Sequence, residues 1–204
     1  MLGLIIAVPL TVLAMGGFVP GLSAAMGAGE ARDLGVKATE ADRATAIERL
    51  ASVQVKDGQA TVDQTFTEAE LSALLAYQEG PLESAQVRLH EGGGIEISAL
   101  VQKSQLDLSQ LPAGPAAQAA KLLPDRVPVY VRGTLALQTA QQVNLTVEKL
   151  EVGRLPLPTS VLGPDMQAML NESINRQLAT VPGLRIETVT FTEGAIHVKA
   201  TAGK

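Results

Sequence analysis

The hydrophobic pattern opens on one long apolar run and then breaks into short segments of helical or extended period. Residues 2–15, LGLIIAVPLTVLAM, are almost wholly apolar, and no charged side chain occurs before Glu30. About 20 residues at 1.5 Å each cross a bilayer core, so residues 1–28 suffice for an N-terminal apolar anchor helix. Pro9, Pro20 and Gly16-Gly17 interrupt it, and no Lys or Arg precedes it. Three readings stay open: a retained signal-anchor, a signal peptide cleaved near Ser23-Ala24-Ala25, or a buried core helix. Residues 29–51 read as a linker and a short stalk helix. Thr39 and Asp42 have the spacing of a cap, and Ala44, Ile47 and Leu50 share one face over 40–51.

Beyond residue 51 the pattern predicts a single α+β domain over 52–204. Short extended runs at 52–57 and 60–66 flank Asp57-Gly58. Thr67-Glu68-Ala69-Glu70 is a capping box. The helix it opens carries Leu71, Leu74, Leu75 and Gln78 on one face, and Gly80-Pro81 ends it. Runs at 84–91 and 95–103 form a hairpin around Gly92-Gly93-Gly94, although Ile95, Ser98 and Val101 do not alternate. Residues 104–126 are rich in Pro, Ala and Leu, with a short helix expected from Pro115 to Leu123.

The clearest strand is 127–138. Val127, Val129, Val131, Leu135 and Leu137 share one face, and polar positions take the other, as in an antiparallel sheet. In 142–152, Val143, Leu145 and Val147 are in phase, but Leu150 and Val152 are not. That switch predicts a bulge near Glu148-Lys149, which bends a strand. Residues 153–159 read as irregular. The longest helix spans 160–180, with Leu162, Met166, Met169, Leu170, Ile174 and Leu178 in a stripe. Pro182-Gly183 ends it. Strands at 184–192 and 195–201 follow, joined at Glu193-Gly194. The predicted fold is a curved antiparallel sheet packed on a long amphipathic helix.

Composition narrows the function. The 204 residues hold 16 Lys+Arg against 21 Asp+Glu, a net charge of −5. The signs are interspersed, with no basic stripe for nucleic acid. Cysteine is absent, which excludes disulfides, thiolate nucleophiles and cysteine metal sites. Aromatics are only 2% and Trp is missing, so the core is aliphatic and base stacking is hard to assemble. No nucleophile elbow, P-loop, dinucleotide fingerprint or zinc-protease motif occurs. His90 and His197 fall in predicted strands and read as surface residues. Glu68 and Glu70 are accounted for by capping, and Asp165 by the positive end of its helix. The two glycosylation sequons, at Asn144 and Asn171, are discounted. The expectation is a chain that is not an enzyme and has no metal and no cofactor.

Phe66-Thr67-Glu68-Ala69-Glu70-Leu71-Ser72-Ala73-Leu74-Leu75 resembles a signature of the YpmS-like bacterial family: a threonine, acids, then Leu, Asn or Ser, and Leu-Leu. The order of later segments is also similar: VPVYVRG at 127–133, VGRLPLP at 152–158, the 160–180 helix, and GLRI at 183–186 before a closing hairpin. The match covers roughly residues 50–202. The layout also resembles LmeA-like envelope proteins of the tubular lipid-binding class. It departs at Ser72, where Asn is common, and in the Ala/Pro-rich 104–126 segment. The resemblance implies lipid binding at the bacterial cell envelope.

The expected function is therefore a membrane-anchored or exported, non-catalytic domain that binds lipid or another apolar ligand. The candidate groove residues are Leu71, Leu75, Val129, Val131, Leu135, Leu137, Leu162, Met166, Met169, Leu170, Ile174 and Leu178. The partners implied are the membrane, through the N-terminal segment, and an acyl ligand, but no nucleic acid. The expected location is the cell membrane, single-pass with the domain outside the cytoplasm; secretion after signal cleavage is the alternative. The rival function is a structural or protein-binding envelope module with a filled core.

Overall fold

Thr39 and Thr67 start helices as their spacing to Asp42 and Glu70 predicts. The computed structural model describes residues 31–52, 54–56, 59–76, 82–102, 125–152, 155–157 and 164–203. The anchor segment 1–28, the proline-rich run 103–124, the Asp57-Gly58 turn, the Gly80-Pro81 stop and Leu162 lie outside those residues. So do the side chains of Met166 and Met169. Asp42 N donates to Thr39 Oγ1 at 3.2 Å, and Thr39 N donates to Asp42 Oδ2 at 2.8 Å, opening α1 (Glu40–Ala51). The same reciprocal pair joins Thr67 and Glu70 at the start of α2 (Glu68–Ala76). Each box satisfies amides that a helix start leaves orphaned.

The fold is α+β, and every strand pairing is antiparallel. The first strands are β1 (Gln54–Lys56), β2 (Gln59–Thr67), β3 (Leu82–Leu89) and β4 (Gly94–Gln102). They are followed by β5 (Arg126–Thr139), β6 (Gln142–Val152) and β7 (Leu155–Leu157), then the helix α3 (Pro164–Ala179). The hairpin β8 (Arg185–Thr192) and β9 (Ala195–Gly203) ends the chain. One sheet has the order β1-β2-β9-β8 and the other β3-β4-β5-β6-β7. Their inner faces share one core with α2 and α3.

The predicted bulge is present: Arg132 lies opposite Lys149 and Gly133 opposite Val147, so Glu148 is the extra residue. This restores one phase, turning Val143, Leu145, Val147 and Leu150 all into the core. The run 153–159 is more regular than expected, because Leu155–Leu157 pairs with Leu150–Val152. Pro156 is tolerated there because the strand lies at the sheet edge.

Helix side chains close both long edges of the five-stranded sheet. β7 covers β6 only over Leu150–Val152, leaving the amides of Val143, Leu145 and Val147 without a strand partner. Asn175, Asn171 and Gln167 of α3 accept from them at 2.9, 2.8 and 3.1 Å. Asn175 Nδ2 returns a bond to Val143 O at 3.0 Å, and Gln167 Nε2 returns one to Leu145 O. Steps of four residues stack these amides along one helical face. Leu170, Ile174 and Leu178 turn into the core beside them. At the opposite edge, Ser72 Oγ accepts from Val87 N at 2.8 Å and Glu68 Oε1 from Leu89 N at 2.6 Å. Glu68 thus serves the β3 edge rather than the helix cap.

The segment read as linker and stalk lies against the domain. Leu34 is buried, and its N–H donates to Gln86 Oε1 at 2.7 Å. The Arg32 guanidinium lies 4.4 Å from the Tyr130 ring centre and pairs with Glu151 at 3.3 Å. This strap meets the outer face of the sheet at Gln86 and Tyr130, and on that face Ser98, Leu100, Pro128 and Tyr130 are buried, as the inner face is. A strand buried on both faces loses its alternation, which explains why 95–103 gave no clear pattern. In α1 Ala46 is buried and Leu50 packs against the core, while Ala44 and Ile47 are exposed. Arg49 fixes α1 by its ion pair, 3.2 Å, with the buried Glu70.

Replacing Asn171 with Ala leaves the Leu145 amide unpaired. We expect a loss of about 1–3 kcal/mol, read as a lower urea midpoint at unchanged slope.

Candidate functional site

The two sheets do not meet fully at one end of the core. A recess of about 320 Å³ opens there, lined by Gly92, Gly93, Leu135, Ala136, Leu137, Val143, Val189, Thr190 and Phe191. It adjoins an inner chamber of about 90 Å³, and the two share Leu135, Val143, Val189 and Phe191. The chamber is lined only by apolar residues, which also include Leu71, Leu89, Ile95, Leu178, Ile186, Ile196 and Val198.

Local geometry explains why space remains. β4 begins at Gly94 opposite Thr134, so from Leu135 onward β5 is paired with β6 on one side and has no β4 on the other. The turn Glu91–Gly93 fills part of the missing strand position. It needs glycine: Gly92 and Gly93 have φ of 76° and 93°, and a Cβ on Gly93 would lie 2.5 Å from Leu135 O. On the other wall, β8 carries a bulge at Glu187, between Ile186 and Thr188. The bulge keeps Ile186, Val189 and Phe191 on the inner face despite their uneven spacing.

The structure divides the expected groove residues. Leu71, Leu135, Leu137 and Leu178 line the recess or the chamber. Leu75, Val129, Val131, Leu170 and Ile174 belong to the packed core and line neither. The described hollow therefore lies between β5, β6 and the β8–β9 hairpin, touching α3 through Leu178. Sequence reading missed Val189, Phe191, Ile196 and Val198. Phe191 carried one usable signal, being one of only three phenylalanines in the chain.

Comparison with protein-family models, curated proteins and solved structures finds no match. The site must be read from its own chemistry. Among the described residues, no cluster of three or more His, Asp or Glu is arranged to hold a metal ion. No helix among them is long and apolar enough to cross a membrane.

A polar group flanks the glycine turn. His90 Nε2 lies 2.7 Å from Glu96 Oε1, and His90 Nδ1 lies 3.4 Å from Glu193 Oε1. Tyr130 donates to the other oxygen of Glu96. Burial alone would raise the Glu96 pKa. The hydrogen bonds from Tyr130 and His90, with the positive potential of His90 and Arg132, outweigh it and hold the carboxyl below its ordinary 4.5. Its contribution to stability is complete above that value and is lost as pH falls below it. Tyr130 moves the other way. Burial first, then its bond to Glu96 and that residue's negative charge, push the phenol up to about 12. The fold favours the neutral phenol, so that contribution holds below pH 10 and is lost as pH rises toward 12. His197 is separate, 2.8 Å from Asp63 on the other sheet.

Only two tyrosines are present. In a Tyr77→Phe background, near-ultraviolet absorbance should show Tyr130 half-ionised near pH 12 rather than 10. Tyr130→Phe should be less stable than the parent at neutral pH and lose less stability as pH falls below 4.5, because Glu96 then lacks its donor and its carboxyl is less depressed.

Proposed function

We propose that this domain is a non-catalytic envelope module that holds the acyl chain of a lipid in the hollow between its sheets. The observation that carries the reading is the graded lining: an open recess leads into a chamber with apolar walls alone. A buried water needs two to four polar partners, and those side chains supply none. Hydrocarbon suits such a space. A recess of about 320 Å³ is at the small end of ligand sites, which fits one chain better than a bulky ring system.

The rest of the reading follows from this site. The Glu148 bulge supports a sheet curved around the hollow, with α3 as the amphipathic helix beside it. The resemblance to YpmS-like and LmeA-like proteins points the same way. So does the uncharged run before Glu30, which suits a chain anchored in or exported across a bacterial membrane. A second reading, a partner-binding envelope module without ligand, draws support from the solid packing of Leu75, Val129, Leu170 and Ile174.

Full-length protein isolated under mild conditions should show, by native mass spectrometry, an added mass that organic extraction removes. Val189→Trp fills space shared by recess and chamber, and should weaken uptake of a fluorescent fatty acid at least about tenfold while the protein stays folded. Wild-type protein that carries no added mass and takes up no fatty acid would overturn the lipid reading in favour of the ligand-free module.

A further inference from the structure

β5 and β8 run side by side without forming a strand pair. Among the described residues, β8 is the last strand of its sheet and pairs with β9 alone. β5 has lost β4 as a partner beyond Thr134. The two free edges face each other across the recess, with Leu135–Leu137 on one side and Val189–Phe191 on the other. One end of this seam is pinned, where Ile186 N donates to Ala140 O at 2.6 Å. The other end is bounded by the glycine turn, which abuts the Leu135 carbonyl and lies against β8.

From Ile186 at the Ala140 end, β8 passes to Phe191, which lines the recess with Gly92, Gly93 and Leu135, so the two strands run antiparallel. Leu135 and Leu137, like Val189 and Phe191, line the hollow. Elsewhere the fold caps its sheet edges with Gln167, Asn171, Asn175, Ser72 and Glu68. At the seam, among the described residues, no side chain plays that part. Two antiparallel edges joined by a backbone bond at one end have the layout of a strand pair left unmade beyond that bond. Backbone groups left at such edges are templates for pairing.

We propose that the β5–β8 seam is the gate of the hollow: it parts to admit a single acyl chain, tail first, and zips into antiparallel pairing to shut. This rests on the lipid-binding reading above. The parted state is the one described here. Shutting extends the pairing of β8 with β5 from Ala140 as far as the glycine turn and links the two sheets there. Tail-first entry follows from the lining, since the Thr190 hydroxyl and glycine backbone stay at the recess while the chamber beyond is apolar.

The chain has no cysteine, so a disulfide can be introduced without background. Ala136 and Thr190 line the recess, one on each edge. A disulfide requires Cβ atoms about 3.8 Å apart, so its formation in the full-length Ala136→Cys/Thr190→Cys variant reports closure directly. We expect mild oxidation to form it. Exchange of a fluorescent fatty acid should then slow at least about tenfold against the same protein reduced, and reductant should restore it. Each single-cysteine variant should exchange at the same rate oxidised and reduced. Failure of the disulfide to form, or equal exchange by the oxidised and reduced double variant, overturns the gate while leaving lipid binding intact. Absence of uptake by wild type and by the reduced variant overturns the lipid reading, and the gate with it.

Discussion

Strand edges set the constraint on which this fold depends. The five-stranded sheet has to end somewhere, and each end exposes backbone amides that need partners. Here the partners are side chains projected from helices. Asn175, Asn171 and Gln167 stand at four-residue steps on α3 and meet alternate amides of β6. Ser72 and Glu68 do the same for β3 from α2. The two periodicities match well enough for this: four helical residues rise about 6 Å, and two strand residues advance nearly 7 Å. Each helix therefore sits along an edge of the sheet while its apolar side enters the core.

Fixing the helices at the edges decides what the rest of the core must do. α3 contributes Leu170, Ile174 and Leu178 from the side, and the second sheet closes the remaining face. That second sheet ends in β8, which reaches the Ala140 turn through the Ile186 amide but does not pair with β5. The hollow is the space left by this incomplete closure. Its walls are apolar because they belong to the same inner faces that make the core. At the recess one wall is the glycine turn, which occupies part of the place where β4 would have continued.

Much of the scaffold was legible because its signals are local. The capping boxes depend on residues three apart, and the Glu148 bulge shows as a phase change within a single strand. The strap over Tyr130 was not legible, because it depends on Arg32 meeting Glu151, which lies 119 residues away. Burial of Ser98 and Pro128 on the same outer face also blurred the alternation of β4 and β5. The groove residues were only partly readable for a similar reason. Leu135 and Leu170 look alike as apolar positions in phase, yet one borders space and the other is packed. What separates them is where β4 stops and where β8 stops, and neither is written in the local pattern. Gln167, Asn171 and Asn175 read as a solvated helix face until their strand partners are known.

Edge-capping by α3 also bears on how the protein fails. If α3 detaches by local unfolding, β6 loses its amide partners before the rest of the sheet need open. It then presents a strand whose inward side chains are Val143, Leu145 and Val147, beside unpaired backbone groups. Such an edge recruits strands from other molecules. Resistance to aggregation is thus set by how firmly one helix is docked, and a variant with nearly native global stability can still aggregate if that docking is loose.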